Sequence, residues 1–329
     1  MKLFNSFKKQ KNEEFIPHQL PFIRPKEKEK KIETNNKLVF ILLLGSILLS
    51  LGVWGWGNIT GKGSLSNPPA GGSFFETPTP TPARKTGEVV NKISSLTGTL
   101  QGNYGVYVYN LSTKENFGIL QDDIFTAASL MKLPVILTLY LEVENGNLSL
   151  DTKYALRQED KRIGAGSLAG QSLGKTYTYR QLVQLMGHLS DNTAYAAMSR
   201  ILGPAKIQNV IDNLGMSHTS FDQNDTTPSD MGLFFRKLYG GSIVSREHRD
   251  EILSFITNTA YEDRIPAGVP QGVKVSHKIG NEIGVFSDAG IVFDDRPFVL
   301  VIMSKNALET EAKTTLPKIT QAVWNFENQ

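Results

Sequence analysis

The chain of 329 residues contains no cysteine. That absence excludes a disulfide scaffold, thiolate-bound zinc, an iron–sulfur cluster and a cysteine nucleophile. Histidine is scarce. His18, His188, His218, His248 and His277 are the five, and none stands in an H-E-x-x-H pair, so the zinc-peptidase helix signature is missing too. No metal and no cofactor is expected. Internal repeats are absent. Charge is modest, at 20% of residues against 40% hydrophobic, so most of the chain can bury a core and wholesale disorder is excluded.

What is present is unevenly spread. The formal charge of +3 conceals a basic tail: residues 1–37 hold ten Lys or Arg and five Glu, which makes the tail +5 and leaves −2 for the rest. Its charges are mixed in sign and no aromatic stacking pattern accompanies them, so a nucleic-acid partner is not expected. Next comes Leu38 to Trp56, 19 residues without a charge. At about 1.5 Å per residue the run is about 28 Å long, close to the hydrocarbon thickness of a bilayer. Trp54 and Trp56 stand at its far end, where interfacial aromatics belong. A buried core helix is the alternative, but no amphipathic face is left for water. A cleaved signal peptide is another. Its apolar core would be about 7–15 residues, followed by a small-x-small site, and Gly-Trp-Gly-Asn does not supply one. The expectation is a signal anchor that remains attached to a plasma membrane, spanning it once. Basic residues before the span place the tail in the cytoplasm and the remainder outside. The lipid bilayer is then a partner through residues 38–56. Residues 57–86 read as a stalk, with Thr77-Pro78-Thr79-Pro80-Thr81-Pro82 in extended polyproline II.

Residues 87–329 carry the folded domain. A helix is expected over Thr86–Ser95, and strands over Tyr104–Asn110 and Asn116–Leu120. A buried helix should run from Ser129 to Asn145-Gly146, with Pro134 near its start. Helices follow from Thr178, over Asn192–Leu202, Pro204–Leu214 and Asp230–Leu238. The period then changes: Val273–Gly280, Gly284–Phe293 and Pro297–Ser304 are β-rich, and Thr310–Phe326 closes the chain as an amphipathic helix. Two strands early, three late and helices between them indicate an α+β fold with a helical insertion, the five strands joining in one sheet.

Ser129-Leu130-Met131-Lys132 is an S-x-x-K motif. On a helix its Lys lies one turn from its Ser. A serine needs a base before it can attack a carbonyl, and a lysine of lowered pKa can serve. Alone the motif is weak: roughly one is expected by chance at average composition, and Ser6–Lys9 is such a match. Two further motifs follow in order. Ser190-Asp191-Asn192 comes 61 residues after Ser129, and Lys278-Ile279-Gly280 comes 149 residues after it. S-x-x-K, S-D-N and K-[TS]-G in this sequence mark the class A β-lactamases and penicillin-binding proteins. The chain resembles that superfamily, and within it the class A β-lactamase-like serine hydrolases. Asp225-Thr226-Thr227-Pro228 and Ile265-Pro266-Ala267-Gly268 support the resemblance, which covers about residues 87–329.

The resemblance implies a five-stranded antiparallel sheet flanked by helices plus an all-helical subdomain, with the site between them. It implies that Ser129 is acylated, that Lys132 is the base, that Ser190 passes a proton to the leaving nitrogen and that Asn192 binds the substrate amide. Lys278 would supply positive field and assist Ser190. The backbone N–H groups of Ser129 and Asn281 would form the oxyanion hole. Gly280 and Ile279 would border the substrate. His277 reads as a packed neighbour and Asp191 as structural. The substrate would be a β-lactam or a cell-wall peptide, and the protein would act as a monomer.

Two departures stand out. Ile279 occupies the place of a Thr or Ser whose hydroxyl binds the substrate carboxylate, and an Ile side chain cannot donate a hydrogen bond. The family also carries an E-x-x-L-N loop whose Glu activates the deacylating water. Here Asn213–Asp225 contains no Glu, and Asp222 is the only carboxylate before Asp225. Three readings follow: a hydrolase with slow deacylation, a penicillin-binding-protein-like peptidase, or an idle binding domain on a stalk.

Overall fold

The computed structural model describes residues 86–241 and 243–329. The tail, the apolar run at 38–56 and the stalk up to residue 85 lie outside the described residues. Among those described, no helix is long and apolar enough to cross a membrane.

One sheet organises the domain. Its strands are β1 (Asn103–Asn110), β2 (Asn116–Ile119), β7 (Lys274–Glu282), β8 (Val285–Phe293) and β9 (Phe298–Lys305). They lie in the order β2-β1-β9-β8-β7, every neighbour antiparallel. The five expected strands therefore join as expected. Successive side chains point to opposite faces, and both faces are covered. Tyr104, Val106 and Val108 of β1 pack with Leu300 and Ile302 of β9 against α1 (Thr86–Thr97) and α8 (Glu309–Glu327). Tyr107, Tyr109, Val299 and Val301 face the helical block instead. Double burial is why β8 and β9 read as almost continuous apolar runs.

At the centre of that block lies α2 (Lys132–Glu144), whose residues from Lys132 to Tyr140 are all buried. A helix apolar all round has no solvent face to keep. Around it stand α3 (Tyr179–His188), α4 (Asn192–Leu202), α5 (Pro204–Asn213), α6 (Pro228–Tyr239) and α7 (Arg246–Phe255). A Thr178/Gln181 capping box starts α3, and the Thr227 side chain caps α6.

The structure departs from expectation in four places. The helix expected from Ser129 opens as a 3₁₀ turn, Ala128–Met131, before α2 begins at Lys132. Thr86, read both as the last residue of the stalk and as the start of the helix expected over Thr86–Ser95, is the first residue of α1 and does not belong to the stalk. Helix α7 was not anticipated, because Arg246–Glu251 is polar throughout and only Ile252, Leu253 and Phe255 are buried. Two small ribbons also appear: β3 (Phe125–Thr126) with β6 (Asp225–Thr226), and β4 (Lys153–Ala155) with β5 (Thr176–Thr178).

Candidate active site

The 3₁₀ turn bearing Ser129 is held from two sides. Ala127 donates its N–H to the Asn224 carbonyl at 2.7 Å, just beyond the β3–β6 ribbon. On the other side β7 comes close enough that a Cβ on Gly280 would lie 2.7 Å from the Ala127 carbonyl oxygen. The glycine of the third motif is thus a requirement of backbone approach. Ala128, immediately before the nucleophile candidate, has φ 47°, a left-handed conformation that is costly for a residue with a Cβ.

Lys132 Nζ lies 2.6 Å from Ser129 Oγ and 2.9 Å from Asn192 Oδ1. Burial pushes the Lys132 amine down, and the Asp191 charge only partly offsets this, giving a pKa of about 8. A lysine so placed has an accessible neutral form near neutral pH and can accept a proton from the adjacent hydroxyl.

Ser190, too, is left-handed, with φ 54°. What holds it is its neighbour. Asp191 Oδ1 accepts the N–H groups of Thr193 and Ala194 at the start of α4, both at 2.9 Å. Its Oδ2 accepts those of Ser167 and Leu168 at 2.6 and 2.9 Å. Asp191 therefore ties the 161–170 loop to α4 and has a structural role. Asn192, first in the helix, donates to the Ile163 carbonyl at 3.2 Å while receiving Lys132.

Lys278, in β7, is buried and donates to Ser190 Oγ at 2.9 Å and to the Ile279 carbonyl at 3.2 Å. Burial, then the Lys132 charge, drives its amine well below the ordinary lysine value. Two lysine–serine pairs, drawn from three distant segments, thus stand near enough for the charge of Lys132 to act on Lys278. β7 is the edge strand, and His277 sends its N–H away from the sheet to the Ile256 carbonyl at 2.7 Å. Backbone direction alternates along a strand, so the Asn281 N–H faces the same open side. The residue expected as a packed neighbour, His277, is fully buried between Asp288 (Nδ1 to Oδ1, 2.8 Å) and Glu262 (Nε2 to Oε1, 3.1 Å).

These residues open on a cleft of about 410 Å³. Ser129, Ser190, Asn192, Ile279 and Asn281 line it, together with residues that sequence reasoning missed: Tyr261, Asp263, Arg264, Glu309 and Lys313. Arg264 is buried, donating Nη1 to the Gly280 and Ser287 carbonyls at 3.0 and 2.6 Å and Nη2 to Asn281 Oδ1 at 2.6 Å. It braces the strand that carries Lys278. Its neighbour Ile265 belonged to a noted segment, but nothing local marks Arg264 as a cleft residue. Asp222, the one carboxylate before Asp225 in the shortened loop, is exposed and does not line the cleft. Among the described residues no His/Asp/Glu group is arranged to hold a metal ion.

Comparison with known proteins agrees with this architecture. The profile of a family described as the beta-lactamase enzyme family matches residues 88–326. The beta-lactamase VEB-1 of Pseudomonas aeruginosa is 23% identical over 276 residues, 74% of this chain and 91% of that protein. ROB-1 of Haemophilus influenzae is 25% identical over 240 residues, 67% of this chain and 77% of that protein. Among solved structures, PBP-A superposes with a TM-score of 0.70 at 26% identity, covering 74% of this chain and 97% of that one. A variant of PBP-A seen as an acyl-enzyme complex with penicillin G gives the same figures. A beta-lactamase from Sphaerobacter thermophilus likewise has a TM-score of 0.70 at 26% identity, covering 73% and 97%.

Proposed function

The chain belongs to the beta-lactamase enzyme family and is a serine hydrolase of that kind, and on this premise we propose that it cleaves β-lactam amides through an acyl-enzyme on Ser129. One observation carries the reading: the Lys132 amine touches Ser129 Oγ while the Lys278 amine touches Ser190 Oγ, both on one cleft. Neutral Lys132 takes the Ser129 proton as Oγ bonds to the carbonyl carbon. The resulting oxyanion is received by the N–H groups of Ser129 and Asn281. Collapse breaks the carbon–nitrogen bond, and Ser190, hydrogen-bonded by Lys278, gives the leaving nitrogen its proton. Asn192 holds the amide on the acyl side. Water then hydrolyses the ester, and with no carboxylate from the 214–225 loop in the cleft this step is the slow one.

That same loop favours a second reading, a penicillin-binding-protein-like peptidase acting on cell-wall peptide, which needs the acylation set alone. Incubation with a labelled penicillin and mass spectrometry of the adduct over time tests both. An adduct confined to Ser129 supports the mechanism. Slow decay that releases hydrolysed penicillin and free Ser129 supports a β-lactamase with slow deacylation, an adduct that does not decay supports the peptidase, and rapid loss would refute slow deacylation. No adduct leaves an idle binding domain.

The domain is held outside the plasma membrane by a single span over residues 38–56, with residues 57–85 as the stalk. The length of the uncharged run, its terminal tryptophans and the basic residues before it support this. Protease added to intact cells should digest residues 87–329 and spare the tail. The reverse pattern would refute the orientation.

A further inference from the structure

The cleft does not end at Ile279. Two acids and two bases, Asp263, Arg264, Glu309 and Lys313, line it as well and stand within electrostatic reach of one another. Arg264 is 4% exposed and its guanidinium is largely occupied by the two carbonyls and by Asn281, so it offers a fixed positive field more than free donors. Asp263 Oδ1 lies 3.9 Å from Arg264 Nε. Glu309 and Lys313, one turn apart at the start of α8, pair at 2.8 Å with more than half of each side chain exposed. Exposed pairs of this type contribute little to stability, since water competes for both partners. A ligand can therefore exchange into such a pair with small loss.

The four charges sum to zero, and that balance discriminates among ligands. A simple anion attracted by Arg264 and Lys313 meets Asp263 and Glu309 beside them. A simple cation meets the converse. A group carrying an ammonium and a carboxylate on one carbon satisfies both signs. Ile279, which lines the same cleft, supplies no hydroxyl to fix a carboxylate on the strand. We infer that the end of the cleft formed by Asp263, Arg264, Glu309 and Lys313 is a subsite for the zwitterionic head of an amino acid, so that the substrate is an amide bearing a free α-ammonium and carboxylate. The inference rests on Ser129 being the reacting centre of the same cleft.

Three small probes separate the possibilities: D-alanine (zwitterion), N-acetyl-D-alanine (anion) and D-alaninamide (cation). Their binding to the full-length Ser129→Ala protein is read by chemical-shift titration, and their competition with a chromogenic cephalosporin is read on the unaltered protein. D-alanine should bind about fivefold more tightly than either of the others, the scale of exposed charge pairing. In Glu309→Gln/Lys313→Met the ratio should fall to about one. Equal binding of the three, or a preference that survives the double substitution, overturns the subsite. Labelling of Ser129 by penicillin on the unaltered protein fails only if the proposed reaction is wrong, and the titration on Ser129→Ala reads the subsite in either case.

Discussion

Two segments meet beside Ser129 and differ in what their polar groups do. In the turn and strand carrying Ser129 and Lys278, the hydroxyls and amines point at one another across the cleft. In the loop from Gly215 to Thr227 they point to one another and to the flanking helices. Asp230 accepts from the His218 N–H and the Thr219 hydroxyl, both at 2.8 Å. Thr219 meets Thr226 at 2.8 Å, and Gln208 receives the Phe221 N–H at 2.8 Å. The first segment leaves reactive groups poised at a surface. The second uses its groups to keep a short loop folded. On the proposed reading, the fold keeps the groups for forming an ester while the loop that would hydrolyse it serves as support.

The sharpest break of this contrast is at the first segment. Ser129→Ala should abolish adduct formation, with the domain still folded by circular dichroism. Lys132→Ala should slow acylation by about 10²–10⁴-fold, the usual loss on removing a general base. In the unaltered protein the acylation rate should climb with pH until Lys132 is neutral, levelling near its pKa of about 8. A flat stopped-flow profile between pH 6 and 9 would remove Lys132 from that role.

The second segment is tested by the opposite step. With no loop carboxylate at the cleft, deacylation should lag, by about 10²–10⁴-fold relative to a base-assisted reaction. A chromogenic β-lactam should then show a stoichiometric burst followed by slow turnover. Fast turnover without a burst would mean that another cleft acid, Asp263 or Glu309, activates the water.

How much of this was legible in the sequence depends on whether chemistry or geometry carried the signal. Ser129, Lys132, Ser190, Asn192 and Lys278 were legible because residue type and order are retained, although the chain brings them together only on folding. The 3₁₀ turn was not, since a Ser and Lys three apart face each other in an α-helix and also in a 3₁₀ turn. Asp263, Arg264, Glu309 and Lys313 were not, because they become cleft residues only where the chain returns beside β7. Helix α7 escaped since its first six residues show no apolar period, its one mark being Ser245, whose hydroxyl accepts the His248 N–H at 3.3 Å. The sheet, by contrast, was readable from runs whose two faces are both apolar.

Next to Lys278 in the first segment lies Ile279, and its replacement should sharpen the contrast. A Thr hydroxyl there adds a donor for a substrate carboxylate, worth roughly 1.5–3 kcal/mol, or about 10–150-fold. Ile279→Thr should raise kcat/KM for acylation by a carboxylate-bearing β-lactam and leave the rate of adduct decay unchanged. A change in decay instead would place residue 279 in the hydrolytic step.

The smallest effect on catalysis, and one visible in stability, concerns the support beneath Lys278. Burial alone would lower the His277 pKa, but the charge and hydrogen bond of Asp288, with those of Glu262, outweigh it and raise it to about 9. The folded value lies above the unfolded one of about 6.5, so the imidazolium binds its proton more tightly in the fold. Its stabilisation is fully present below about pH 6.5 and is lost as pH rises through about 9. The shift corresponds to a contribution on the order of 3 kcal/mol as an upper bound. His277→Asn can keep a donor toward Asp288 but carries no charge. Urea unfolding should therefore show the variant less stable than the parent at pH 6, with the gap narrowing toward pH 10. A gap independent of pH would mean that His277 is neutral in the folded protein and that Asp288 and Glu262 hold it by hydrogen bonds alone.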